Sequence, residues 1–436
     1  MPSTSSFIRL SPFVQPSPYG KKGSKSVAAR FATATRKDFK IDEEQPYGEM
    51  WMGDHPNGMA HTLDGQSLGS LIESAPEEYL TSAVYKRFNS DPHLPFLFKI
   101  LSFDKALPLQ AHPDRALAKR LMAKEKAATG KNETFVDPNH KPEVAVTISD
   151  VFEGFVGFRP IHEIKVFLKV VPELRKLQSD HETVEAFLAA PDDSKDAQSL
   201  LKTMFAELLA STHTEIRACS QQLLTHVERD ADDAIGDLGR KQGLARVIRK
   251  VLSDYPEDVG MFAAVFFMNY VVLHKGEGIA VPANCIHAYL EGDIIECMAW
   301  SDNMIACGLG APEEQNDARV FVDMLRYEAS ESKKLELKHE KWNKSDNAKT
   351  QIFYAPMAEF DLLNTKLDAG EQEVVDKGID GPAVFVVTQG VVTLCRSDGK
   401  EEENLQQGQV VFIKPGTGFK FKAENKAEVW GSFVEG

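Results

Sequence analysis

The chain has 436 residues, 42% of them hydrophobic and 26% charged, with a formal net charge of −15 at pH 7. That length suffices for two or three domains with sizeable cores, and the acidic balance argues against a nucleic-acid partner, which calls for a basic footprint. No apolar run reaches the roughly 18–20 residues of a membrane span, whereas a small anionic ligand needs only a local cluster of Lys or Arg.

The N-terminal "MPSTSSFIRLSPFVQPSPYG" lacks the apolar segment of a secretory signal. Cys219, Cys285, Cys297, Cys307 and Cys395 form no CxxC pair and make an odd count. Both features point to a cytoplasmic protein with reduced thiols. In residues 1–155, short apolar runs such as "FLFKIL" and "PEVAVTI" lie between Pro, Gly, Asn and Asp, which predicts strands and turns. From 161 to 260 apolar residues recur at helical spacing: Ile161, Ile164, Leu168 and Val171, then Leu201, Phe205, Leu208 and Leu209, then Val247, Ile248, Val251 and Leu252. This predicts a helical insertion. Strand patterns return from 261 with "YVVLH", "GIAVPA" and "DIIECMAW". After 330, "GPAVFVVTQGVVTLCR", "GQVVFIKPGTGFKF" and "AEVWGSFVE" predict antiparallel strands with tight turns. Two β blocks around a helical block suggest two related barrels or sandwiches. The expected units are 1–160 plus 261–330, 161–260, and 331–436.

Within "KALPLQAHPD" (105–114), Gln110 and His112 stand two apart, so an extended chain points both to one face. Buried polar side chains cost free energy unless partnered; the pair is either hydrogen-bonded within the structure or converges on something. Three other turn-rich stretches resemble it. "DPNHKPEVAVTI" places His140, Lys141 and then Glu143 at the head of an apolar strand. "GEGIAVPANCIHAYLEGD" places His287 after a turn, and "GEMWMGDHPNG" places His55 in one. Gln110, His112, Glu143 and His287 could form a mixed N/O site suited to Zn²⁺, but spacing alone does not show that they converge.

At these residues the chain resembles the type I phosphomannose isomerases. The matching stretches are "YGKKGSKS", "YGEMWMGDHPNG", "FLFKILSFDKALPLQAHPDR", "NHKPEVAV" with "FEGFVGFRP", and "VPANCIHAYLEGDIIECMAWSDN", in the family's order. The resemblance implies a mainly β protein: a metal-binding cupin (double-stranded β-helix) domain, an inserted α-helical domain, and a second cupin-like domain without metal at the C-terminus. It also implies that Gln110, His112, Glu143 and His287 bind zinc. The family's reaction is proton transfer between C1 and C2 of an open-chain sugar through a cis-enediol. The candidates for that transfer are Glu296, which strand alternation could point inward, His55 and Lys141; Asp302 is a candidate orienter.

The chain also departs from the family. Where the family reads SDNVVRAGLTPK, this sequence has "SDNMIACGLGAP" (301–312), so the catalytic arginine falls on Ala306 and a lysine on Pro312. A serine two residues before the metal-binding glutamine falls on Pro108. Phosphate recognition draws on charge-assisted donors. The loss of all three points to a related zinc-dependent isomerase or epimerase acting on a hydroxy-carbonyl compound that is not phosphorylated. The competing readings are an authentic mannose-6-phosphate isomerase, with Lys21, Lys22, Lys99, Arg115, Lys141 or Arg319 meeting the phosphate, and a non-catalytic metal-binding relative. Cys307, beside Ala306, is either a new nucleophile or a buried inert thiol. The expected partner is a small-molecule substrate, with no nucleic acid or membrane, in a monomer or weak homodimer.

Overall fold

The structure, a computed structural model, describes residues 5–36, 38–132, 134–311 and 315–436. Its organising strand is His287–Ala299, in which every residue but Glu291 is buried. The first half pairs with Val151–Phe158. A bulge between Tyr289 and Glu291 then redirects the strand. Gly292 follows with φ +148°, and a Cβ there would lie 3.2 Å from Phe152. The second half pairs with Phe96–Phe103 on one side and Glu143–Thr147 on the other. The result is a curled ten-stranded sheet.

Alternation sorts the second half onto two faces. Ile295 and Cys297 lie with Phe98, Ile100, Val144 and Val146 in a core shared with Val384, Phe412 and Trp430 of the C-terminal strands. The other face carries charge. Trp51 stands opposite Lys99, Lys99 opposite Glu296, and Glu143 opposite Met298. Among the described residues, no helix is long and apolar enough to cross a membrane.

Helices run from Ile161–Val170 to Val259–Phe267. Every apolar residue named above from its helical spacing is buried there, in one core that also takes in Phe155, Phe158, Ala288 and Leu290 of the sheet. A further helix, Arg115–Thr129, falls where the pattern predicts strands and turns. Asp114 caps it by accepting from Leu117 N at 2.8 Å, and Gly130 closes it at φ +78°. It buries only Ala118 fully, and its apolar stripe is short, with Leu117, Leu121 and Met122 half-buried against the helical core.

The C-terminal part forms an eight-stranded and a four-stranded sheet. Ala383–Gln389 and Val391–Arg396 meet at a tight turn on Gly390 but are not a hairpin. The first joins the eight-stranded sheet and the second the four-stranded one, as a double-stranded β-helix requires. The strand Phe7–Ser11, first in the chain, pairs with Val410–Ile413 in the eight-stranded sheet.

Phe205 marks the seam between helices and sheet. Its ring lies edge-on to Phe158 at 5.1 Å and to Phe267 at 5.6 Å. F205A is expected to cost about 3–5 kcal/mol through the cavity it leaves, read as a lower midpoint in urea unfolding. A loss below about 1 kcal/mol would mean that the seam collapses onto the gap.

Candidate functional site

Two turns bring the histidines together. His112 follows the strand Gln110–Ala111, and His287 follows the turn containing Asn284. Asn284 ties the turns to each other. Its backbone N donates to His112 O at 2.7 Å. Its side chain accepts from Asp114 N at 2.9 Å and donates to the Asp114 carboxylate at 2.8 Å. Its φ of +64° is a conformation that asparagine tolerates better than most residues. Register sets Gln110 between His287 and Ala306.

The Glu143 carboxylate lies between the two imidazoles, Oε1 at 3.1 Å from His112 Nε2 and Oε2 at 3.4 Å from His287 Nε2. All three residues are at most 3% exposed. His112 Nδ1 lies 2.7 Å from Asn303 O, and His287 Nδ1 lies 3.1 Å from Cys285 O. A carbonyl can only accept, so each Nδ1 carries the proton and each Nε2 presents a lone pair. Neither Nε2 has a well-formed hydrogen bond, although both are buried. Two stranded lone pairs beside a carboxylate are costly unless they share a cation. The three ligand atoms lie within 4.8 Å of one another and could hold a metal ion, and an N, N, O donor set fits a divalent transition metal. Burial, reinforced by Lys141, pushes His112 down to about 4 against the pull of Glu143. Burial works to raise Glu143, but the positive charge beside it, Lys141 at 3.4 Å, helps hold the carboxyl well below its usual range. A neutral imidazole and an ionised carboxylate are the states a metal requires.

This cluster opens on a cavity of about 680 Å³ whose wall includes Gln110, Lys141, Glu143, Glu296 and Asp302. Lys141 Nζ is 3.4 Å from Glu143 Oε1. Asp302 accepts from Asn57 Nδ2 at 2.7 Å. Lys141 and Lys99 keep Asp302 low although its burial opposes them. Burial, together with the charge of Glu143, pushes Glu296 up to about 8 against the pull of Lys99. His55 is not among the residues lining the cavity. Its ring is wedged between Trp51 and Trp300, at 5.7 and 4.8 Å, and its Nδ1 accepts from Asn57 N at 3.3 Å. Burial drives it down to about 4. Burial likewise pushes the Cys307 thiol up to about 12, which leaves it a poor nucleophile.

Sequence reasoning missed the polar chain that runs along the cavity wall beside Glu296. Lys99 Nζ lies 3.6 Å from Glu296 Oε1, 3.2 Å from Glu49 Oε2, and 4.1 Å from the centre of the Trp51 ring. Glu49 also accepts from Trp51 Nε1 at 2.7 Å and from the Tyr19 hydroxyl. Burial would lower Lys99, but Glu49 and Glu296 prevail and hold it above its ordinary value. The signal was one lysine inside the apolar run "FLFKILSF", since a charge there must find carboxylates.

Of the cations named as surviving, Lys99 and Lys141 line the cavity. Lys21 pairs with Asp293 at 2.6 Å, exposed Lys22 with Glu44 at 3.5 Å, and Arg115 with Glu359 at 3.1 Å. Arg319 is exposed on the helix Ala318–Met324. Pro108 lines the cavity, Ala306 is buried beside Gln110, and Pro312 lies outside the described residues.

A curled β-sheet with two imidazoles and a carboxylate beside a cavity of mixed charged and apolar lining has the layout of a cupin metalloenzyme. The model of the type I phosphomannose isomerase catalytic domain matches residues 7–161, and that of the family's helical insertion domain matches residues 174–268. The mannose-6-phosphate isomerase of Candida albicans is 34% identical over 93% of this chain and 92% of its own. That of Cryptococcus neoformans is 35% identical over 99% of both. A crystal structure of mannose 6-phosphate isomerase bound with zinc and yttrium superposes with a TM-score of 0.80 at 25% identity, over 99% of this chain and 100% of that one. The chain belongs to the type I phosphomannose isomerase family. The expectation of a non-phosphorylated substrate, drawn from Pro108, Ala306 and Pro312, finds no support. The relatives that match nearly end to end are mannose-6-phosphate isomerases, and two lysines remain on the cavity wall.

K99M leaves Glu49 and Glu296 buried without their cation. Stability at pH 7.5 is expected to fall by about 3–5 kcal/mol. The loss should shrink toward pH 5, because the stranded carboxyls take up protons in the folded state and become neutral. Thermal melts across pH check this, and a deficit independent of pH would refute the pairing.

Proposed function

We propose that the protein is a zinc-dependent isomerase interconverting mannose 6-phosphate and fructose 6-phosphate. The observation that carries this reading is the buried His112–Glu143–His287 cluster opening on a cavity that also holds Lys141, Glu296 and Asp302. The near full-length likeness to mannose-6-phosphate isomerases supports the choice of substrate.

Zinc held by Gln110, His112, Glu143 and His287 would supply Lewis-acid polarisation of the substrate's oxygens. The chain's own groups handle the proton and the charge. Glu296 is the base that takes the proton from C2 and returns it to C1. Burial and Glu143 lift its pKa toward working pH, where a base transfers protons best. Lys99, beside it on the cavity wall, holds its carboxylate in place. Lys141 offsets negative charge building on the substrate oxygens. Asp302, ionised and held by Asn57, accepts a hydrogen bond from a substrate hydroxyl. Trp51 and Leu101 line the same cavity and limit water there.

Zinc-loaded protein is expected to turn over mannose 6-phosphate at about 1–10³ s⁻¹. Chelation should abolish the activity and zinc restore it. Absence of turnover with one zinc bound per chain would sink the substrate assignment. E296Q is expected to lower kcat by about 10²–10⁴-fold, and near-normal turnover would remove Glu296 from its role. Glu296 acts deprotonated, so kcat/KM should fall as pH drops through its raised pKa. The midpoint of the acid limb should lie above the ordinary 4.5, as a pH–rate profile would read.

A further inference from the structure

Asp137 takes no part in the chemistry above, is 8% exposed, and gathers donors from two separate segments. Its Oδ1 accepts from Asn139 N at 2.8 Å, Ser301 Oγ at 2.9 Å and Asn303 Nδ2 at 3.1 Å. Its Oδ2 accepts from Ser301 Oγ at 3.0 Å and Asp302 N at 3.1 Å. The Asn303 amide adds bonds to Asp137 O at 2.7 Å and Asn139 O at 3.0 Å.

One segment, 137–139, leads directly into Lys141 and Glu143. The other, 301–303, supplies Asp302 and the Asn303 carbonyl that faces His112 Nδ1 at 2.7 Å. We propose that Asp137 is a positioning residue for the metal centre, clamping the segment that aims Glu143 to the segment that sets the orientation and tautomer of His112. The proposal rests on the zinc reading above. Both carboxylate oxygens face only donors. In D137N one of them becomes an NH₂ that confronts donors in either amide orientation, so the two segments separate although the side chain keeps its size.

The test compares D137N with D54N. Asp54 is also a fully buried carboxylate, facing His93 Nδ1 at 3.1 Å and accepting from Leu94 N at 3.0 Å and Trp300 Nε1 at 3.1 Å, and none of these three groups bonds to His112 or Glu143. Zinc affinity is measured by chelator competition, alongside the Tm of the metal-free proteins and kcat and KM for mannose 6-phosphate. For D137N, zinc affinity is expected to weaken about 10–100-fold, with kcat falling and KM little changed. For D54N, Tm should fall while zinc affinity holds. Wild-type zinc affinity in D137N overturns the proposal, as does an equal weakening in D54N. If D137N does not fold, S301A replaces it, with a smaller weakening expected; unchanged affinity there is equally decisive against the clamp. A wild-type protein that binds zinc but leaves mannose 6-phosphate unconverted removes the substrate reading alone, because the affinity comparison still decides the role of Asp137. A wild-type protein that binds no zinc removes both.

Discussion

A carboxylate as buried as Glu143 keeps its charge only if cations stand beside it, and the charged face of the sheet is arranged around that demand. Glu143 meets Lys141, and Glu296 and Glu49 share Lys99. With Asp302, the face holds four carboxylates against two lysines. If all four ionise, two negative charges are left over, which is the charge a divalent ion cancels. The groups divide this burden unequally. Glu49, Glu143 and Asp302 are held low, whereas Glu296 is pushed up. The proton that relieves the excess charge thus settles on the carboxyl assigned to move a proton.

The backbone makes such a concentration of charge tolerable. Glu296 alternates with Ile295 and Cys297, so one strand offers a carboxylate to the cavity and an apolar surface to the C-terminal strands. Cys297 Sγ even reaches Ser432 Oγ at 3.2 Å across that boundary. On the other flank, the helices bury the start of the same strand through Ala288 and Leu290. Apolar packing on these sides meets the cost of holding polar groups on the third.

The long elements were legible because they bury one regular stripe, as Leu201, Phe205 and Leu208 do. The helix Arg115–Thr129 was not, since its stripe is short and only half-buried, Leu117, Leu121 and Met122 standing among lysines and alanines. For the metal cluster, sequence supplied the residue types and the family resemblance supplied their convergence. What joins Gln110 to His287 is strand register across more than 170 residues of chain, and no local pattern encodes that. Lys99 with Glu49 and Glu296 is likewise a cross-strand product. His55 stood in a Gly/Pro turn much like those of the metal-site stretches, and its ring serves that turn. Pro108 and Ala306 suggested a lost phosphate site, because substitutions read one at a time do not show which cations the fold keeps on the cavity wall.

The pairing of Phe7–Ser11 with Val410–Ile413 also has a consequence for biosynthesis. Apart from the short strand His61–Thr62, the other members of the sheet that holds Phe7–Ser11 all come from residues 339–433, the late part of the chain. One edge of Phe7–Ser11 can pair early with His61–Thr62, but the other must wait while some four hundred residues are translated, and the closing of that sheet comes at the end of synthesis. Until then the apolar side of the charged sheet, with Ile295 and Cys297, lacks the part of its cover that Val410, Phe412 and Trp430 supply. A chain halted before Val410 therefore exposes both a free strand edge and an incompletely covered core face, the two surfaces that quality-control chaperones and aggregating neighbours recognise.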